Sequence, residues 1–241
     1  MISRIHLAGV WCGLLFLICY IIGLWLLSGF VPAHSPTATA AEITAIYAAN
    51  ANGIRLGMVF VMMAAGFYLP WTVTLSALIK RMEGNSSFLS QTQLIGGLAA
   101  SMFFVLPALI WQVAAYRIDR APDLILMLND AGWILTVTPD PPFFVQFVPL
   151  IAAIFLNRTK PAPFPRWMAW ASLWANVIYS PAMAAYFFKD GPFAWNGIFP
   201  FWLPLSTFVV WELSLYWMAY RYIKSTTSVK TGEDSQTIHG N

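Results

Sequence analysis

The chain has 241 residues, of which 59% are hydrophobic, 16% aromatic and 10% charged, and its net charge is +3. Soluble domains carry about a quarter charged residues, so this composition excludes an ordinary soluble enzyme, and the small basic excess gives no reason to expect a nucleic-acid partner. An all-α polytopic membrane protein remains, because apolar runs of the roughly 20 residues needed to cross a bilayer recur from Leu7 to Tyr220.

The first run, Leu7–Phe30, is longer than the 7–15 apolar residues of a signal-peptide core, and it reads as an uncleaved first span despite the small residues of Val31–Ala33. Cys12 and Cys19 lie seven residues apart on one face of it, which suits buried thiols rather than a disulfide or metal pair. Next comes a Pro-, Ser- and Thr-rich stretch, then Thr39–Asn50, where Ile43, Ile46 and Tyr47 recur at helical spacing; this predicts a short outer helix. Ile54–Ile79 and Leu89–Tyr116 are the second and third spans.

The fourth segment, within Asp123–Leu156, is too long for one straight crossing: a continuous helix would measure about 50 Å against a hydrocarbon core of about 30 Å. Pro139, Pro141 and Pro142 remove three backbone donors together, so the helix stops near Thr138. Two layouts follow. In one, Leu124–Thr138 lies at the surface or dips in as a re-entrant piece before a short span. In the other, the two halves form a single discontinuous membrane helix, which implies a polar pocket, since irregular backbone at membrane depth must be buried in protein or line a cavity.

Trp167–Phe188 and Ile198–Tyr220 complete a six-helix bundle, residues 1–224, followed by a polar tail, 225–241, that reads as disordered. With the N-terminus inside, nine basic residues (Arg4, Lys80, Arg81, Arg158, Lys160, Arg166, Arg221, Lys224, Lys230) are cytoplasmic and four (Arg55, Arg117, Arg120, Lys189) are external. That asymmetry predicts both termini on the cytoplasmic side, and short loops suit a bacterial inner membrane. The tryptophans Trp71, Trp111, Trp133, Trp167, Trp170, Trp195, Trp202, Trp211 and Trp217 read mostly as interfacial anchors or lipid-facing bulk. Pro107, Pro149, Pro181 and Pro204 predict kinks in the third to sixth spans.

Each ionisable side chain inside a span is a candidate site, because burying it costs about 2.5–3.5 kcal/mol at a helix centre. Glu212, deep in the sixth span, either ties two helices through a hydrogen bond or borders a water-filled cavity. Asp130 and Asn129 follow Pro122 by seven to eight residues, so Asp130 is either a helix cap or a buried carboxyl partnered by Arg55 or Arg117. Asp140 stands among the prolines. The only histidines are His6, His34 and His239, in a terminus, a loop and the tail, so neither a haem nor a di-iron centre is expected; no metal or other cofactor is implied.

Three functions fit. The first is a pocket, lined by Arg55, Gln112, Asn129, Asp130 and Trp133, that binds or moves a small lipophilic or amphipathic molecule. The second is an intramembrane acid–base enzyme, an isomerase or cyclase, using Asp130, Asp140 or Glu212; it requires two carboxyls, or one with a polar donor, on the wall of one chamber. The third is an accessory subunit without a site of its own. If either of the first two holds, Asp130, Arg55 and Glu212 cannot all face lipid.

Overall fold

The computed structural model describes residues 5–138 and 140–238, with side chains as far as Thr227 apart from that of Asp140. Its elements are α1 (Ile5–Ile21), running directly into a π-helical stretch (Ile22–Leu27), then α2 (Ala40–Ala49), α3 (Ala51–Glu83), α4 (Phe88–Tyr116), α5 (Pro122–Val137) and α6 (Asp140–Leu156). After these come α7 (Arg166–Tyr179), which tightens into a 3-10 helix (Ser180–Tyr186), a short 3-10 turn (Gly191–Phe193), a second π-helical stretch (Ile198–Trp202) and α8 (Leu203–Ile238). No strand occurs among the described residues.

Five helical stretches are long and apolar enough to cross a membrane: Ile5–Leu27, Ala51–Glu83, Phe88–Tyr116, Pro122–Leu156 and Gly191–Thr227. The chain is a helical, multi-pass membrane protein. Trp167–Phe188, read from the sequence as a span, falls outside this set because its α-helical part ends at Tyr179, where Ser180 and Pro181 begin the tighter 3-10 winding. The backbone of α8 continues through Ser225 into the polar tail; the side chains of 228–238, residues 239–241, Pro139 and the Asp140 side chain lie outside the described residues.

Local chemistry sets the ends of the helices. Thr39 and Glu42 form a reciprocal capping box at the start of α2, which satisfies two of the amides that a helix N-terminus leaves without partners. The α3–α4 connection turns at Gly84, whose φ of 74° is open mainly to glycine. Glu83 then accepts the backbone amides of Leu89 and Ser90 at 2.8 and 3.3 Å, capping α4 from the preceding helix, while Lys80 donates to the carbonyls of Gly84 and Ser86. These contacts hold α3 and α4 as an antiparallel hairpin.

Without a hydrophobic driving force between helices in lipid, close approach at small residues is a main source of helix association. Gly23 and Gly57 bring the end of the first helical stretch against α3: a Cβ on either would lie 2.5 Å from the other's carbonyl oxygen. Gly96 of α4 meets the backbone of α6, where a Cβ would lie 2.7 Å from Gln146 N. Gly132 of α5 lies against the Trp111 indole of α4. Sixteen residues of α4, from Trp111 back to Gly96, are thus matched by fourteen or fifteen residues of α5 and α6, from Gly132 to Val145 or Gln146. The two pieces therefore run in series down one face of α4, without a reversal between them.

Two hydrophobic cores fill the bundle. One, at the α2 end, centres on Phe30, Tyr47, Trp111, Trp133 and Phe201; the other, toward Glu83, centres on Phe16, Tyr68, Trp71, Phe147 and Trp211. Tyr20 packs against both. Gly96→Ala is expected to destabilise the detergent-solubilised protein by roughly 1–3 kcal/mol through overpacking, read as a lowered thermal midpoint. Gly66→Ala, where nothing lies within 4 Å, is expected to leave that midpoint unchanged or to raise it slightly.

Candidate functional site

A cavity of about 130 Å³ lies where four departures from regular α-helix meet. The first π-helical stretch contributes Leu24, the α5–α6 break Thr136, Val137 and Phe143, the switch from α7 to 3-10 winding Tyr179 and Ala182, and the second π-helical stretch Pro200 and Phe201. Tyr20, Phe104 and the first turns of α8, with Pro204, Leu205 and Phe208, complete the wall. It is apolar apart from the hydroxyls of Tyr20, Thr136 and Tyr179. At the break itself, the Ile134 carbonyl accepts both the Thr138 amide at 3.2 Å and the Thr138 hydroxyl at 2.6 Å, and that hydroxyl also lies 2.7 Å from the Tyr186 hydroxyl, so backbone and side chain together close the end of α5.

On the α2 side of this cavity sits a polar cluster caged by aromatic rings. The buried amide of Asn129 is its centre. Its oxygen accepts from His34 Nδ1 at 2.8 Å and from the Tyr47 hydroxyl at 3.5 Å, its backbone carbonyl accepts from Trp111 Nε1 at 3.4 Å, and its Nδ2 donates to Asp130 at 3.3 Å. Trp195 Nε1 donates to the His34 carbonyl at 2.7 Å, fixing the loop before α2 against the segment before α8. The rings of Phe30, Tyr47 and Trp133 surround the imidazole at 4.6–6.4 Å. Since Nδ1 donates to Asn129, Nε2 is the free acceptor, and it is buried without a hydrogen-bond partner among the described residues. Phe201 packs on Trp133 at 6.0 Å and belongs to both the cage and the cavity wall.

On the other side of the cavity lies a second polar group. Trp71 Nε1 donates to Glu212 Oε2 at 3.1 Å, while Glu212 itself has no exposed surface. The Tyr216 ring packs edge-on against Trp71 at 4.6 Å, and its hydroxyl is within electrostatic reach of the carboxyl without forming a hydrogen bond of good geometry. Nearby, Tyr68 donates to Gln146 Oε1 at 2.7 Å, and Gln146 and Gln93 both donate to the Thr72 hydroxyl, at 3.3 and 3.5 Å. This is the geometry of interhelical ties among α3, α4, α6 and α8.

The residues singled out from the sequence separate into three places. Asn129, Asp130 and Trp133 come together around His34. Arg55 and Gln112 instead clamp α3 to α4: Arg55 Nε donates to the Ala115 carbonyl at 2.9 Å, and Gln112 Nε2 to the Arg55 carbonyl at 2.8 Å. Glu212 is sealed in the opposite core. Asp130 is two turns inside α5 rather than at its cap, because the helix already begins at Pro122. The cation within its electrostatic reach is Lys189, whereas the sequence suggested Arg55 or Arg117. Arg55, Asp130 and Glu212 are half-buried or buried, so they do not all face lipid. Contrary to the expectation of interfacial anchors, Trp71, Trp111, Trp133, Trp195 and Trp211 are core residues, at most 6% exposed. All but Trp133 of these five place the indole N–H on an internal acceptor. Trp167, Trp170, Trp202 and Trp217 do face outward.

Burial, the larger influence, holds the His34 imidazole below its ordinary value of 6.5, while the Asn129 hydrogen bond acts in the opposite direction. The folded chain thus takes up that proton less readily than the unfolded one, and the stability this gives is lost as pH falls below about 6.5. Thermal unfolding followed from about pH 7.5 to about pH 5 is expected to show that loss, and His34→Gln, which keeps a donor for Asn129, should flatten it. Trp71→Phe, which leaves the Glu212 carboxyl without its donor, is expected to cost about 1–3 kcal/mol; Glu212→Gln, which keeps an acceptor for Trp71, should cost less in the same melting assay. Comparison of the chain with protein-family models, with curated proteins and with solved structures gives no match.

Proposed function

We propose that this protein binds, or moves, a small lipophilic or amphipathic molecule in the cavity at which its helices break. The observation that carries this reading is the convergence of four irregular backbone stretches on one apolar space. Non-α backbone within a membrane bundle leaves carbonyls and amides poorly paired and is tolerated where it lines a cavity, and π-helical insertions recur at functional sites. A purely scaffolding subunit has no need for four such departures at one level.

The same reading completes the topology. Taken together, α7 and the 3-10 helix after it run from 166 to 186, long enough to serve as a sixth crossing, and α5 with α6 form one discontinuous crossing along α4. The distribution of Lys and Arg then puts both termini on the cytoplasmic side and the α2 end outside, which suits the inner membrane of a bacterium.

The acid–base alternative is weaker on geometry. It needs a carboxyl on the chamber wall, and no Asp or Glu lines the cavity among the described residues. Asp130 borders the cage around His34 and Glu212 is tied to Trp71, on opposite sides of that space.

Mass spectrometry of lipids and small molecules carried by the purified protein tests the proposal. A defined compound is expected to co-purify with the wild type and with Glu212→Gln, and to be lost from Ala182→Phe and Leu205→Trp, which fill the cavity, while their thermal midpoints hold or rise. Retention of the compound in both filled variants, or no specific compound in the wild type, would overturn it.

A further inference from the structure

Aromatic layers close the cavity along the axis of the bundle. Toward α2, Phe30, Trp111, Trp133 and Phe201 stack at 5.0–6.0 Å and are at most 5% exposed. Toward the other core, Phe16, Tyr68 and Phe104 pack at 4.9–5.5 Å. A molecule therefore has no axial route in from water. The flank is different. α1 and α8 are in tight contact at Gly13, where a Cβ would lie 2.5 Å from the Tyr216 ring, and they still touch at Phe16 and Phe208, 6.0 Å apart. Beyond that contact, Tyr20 on α1 and Pro204, Leu205 and Phe208 on α8 line the cavity and are all partly exposed. In a membrane protein that flank borders lipid.

The chemistry of the wall restricts what can enter. It bears no charged side chain, and an ionised group drawn into such a space would lose its hydration without compensation. Of its three hydroxyls, Thr136 is already committed to the Gly132 carbonyl at 2.8 Å. Tyr179 makes an interaction of its own, whereas the Tyr20 hydroxyl has no hydrogen-bond partner among the described residues and is a donor free to meet a ligand. In size, about 130 Å³ approaches the roughly 150 Å³ of an apolar cavity that takes one benzene ring. One ring or one isoprene-sized end therefore fits inside, and the remainder of a longer molecule would extend through the flank.

We infer, resting on the binding reading above, that the cavity is entered sideways from the bilayer between α1 and α8 by an uncharged lipophilic molecule. Its inserted end carries a hydrogen-bond acceptor, such as a ketone, for the Tyr20 hydroxyl. Neutral membrane-soluble ketones and quinone-like or isoprenoid carbonyl compounds belong to this class; fatty-acid carboxylates and organic cations do not.

The experiment uses the full chain in nanodiscs of neutral phospholipid and three matched diazirine probes: an isoprenoid ketone, the same hydrocarbon without the oxygen, and the corresponding carboxylate. The ketone should label the wild type saturably and crosslink to α1 and α8. The hydrocarbon should label about three- to tenfold more weakly, the range one net hydrogen bond provides, and the carboxylate should not label saturably. Tyr20→Phe should bring the ketone down to the level of the hydrocarbon. Equal labelling by ketone and hydrocarbon, an unchanged ketone signal in Tyr20→Phe, or a preference for the carboxylate would overturn the ligand class and leave the binding reading standing. Absence of saturable labelling by any probe, or labelling that Ala182→Phe does not reduce, would overturn the binding reading and this inference with it.

Discussion

Hydrocarbon offers the backbone no hydrogen bonds, so every amide and carbonyl of a spanning segment must find its partner within the protein. This constraint governs the whole chain. It makes long regular helices the default, and it makes each departure from regularity informative about its surroundings. The π-helical stretches at Ile22–Leu27 and Ile198–Trp202, the 3-10 segment after Tyr179 and the break after Thr138 are such departures. They are not scattered along the molecule; they border the same apolar cavity.

The rest of the architecture holds those irregular stretches in place. Glycine contacts fix the long helices at both ends of the bundle, with Gly23 on Gly57 near one end and Gly96 on the backbone of α6 toward the other. Between the two cores, aromatic rings do most of the filling. The polar groups are arranged accordingly: His34, Asn129 and Trp195 lock the connections at the α2 end, and Glu212, Gln146 and Thr72 tie the opposite end. Each cluster consists of short-range interactions that hold neighbouring segments in register, and the wall between them is left nearly free of polar atoms.

Much of this was legible in the sequence where a single local cause decided it. Composition required helices in a membrane, Pro139, Pro141 and Pro142 required the fourth segment to break, and the helical spacing of Ile43, Ile46 and Tyr47 marked α2. Asn129 and Trp133 stood out because a polar group and an amphipathic ring inside an apolar run need a reason. What could not be read depended on partners far away in the chain. Trp71 lies 141 positions from the Glu212 that it caps, and His34 lies 95 from Asn129; nothing local distinguishes either from a lipid-facing ring or a loop histidine. The π-helical stretches were hidden as well, since one extra residue per turn leaves a uniformly apolar run looking the same. Arg55 and Gln112 look like neighbours of Asp130 because all three are polar groups expected toward the outer face, and only the α3–α4 hairpin shows that Arg55 and Gln112 serve a different junction.

The placement of the cavity between two separately packed cores has an evolutionary consequence. Leu205, Pro204 and Val137 touch the cavity yet belong to the buried centre of neither core, so they can change size or shape while the glycine contacts and polar ties stay intact. Mutational drift at those positions would reshape the cavity without eroding the fold. A bundle of this kind can change the size and shape of its cavity while its helices stay the same.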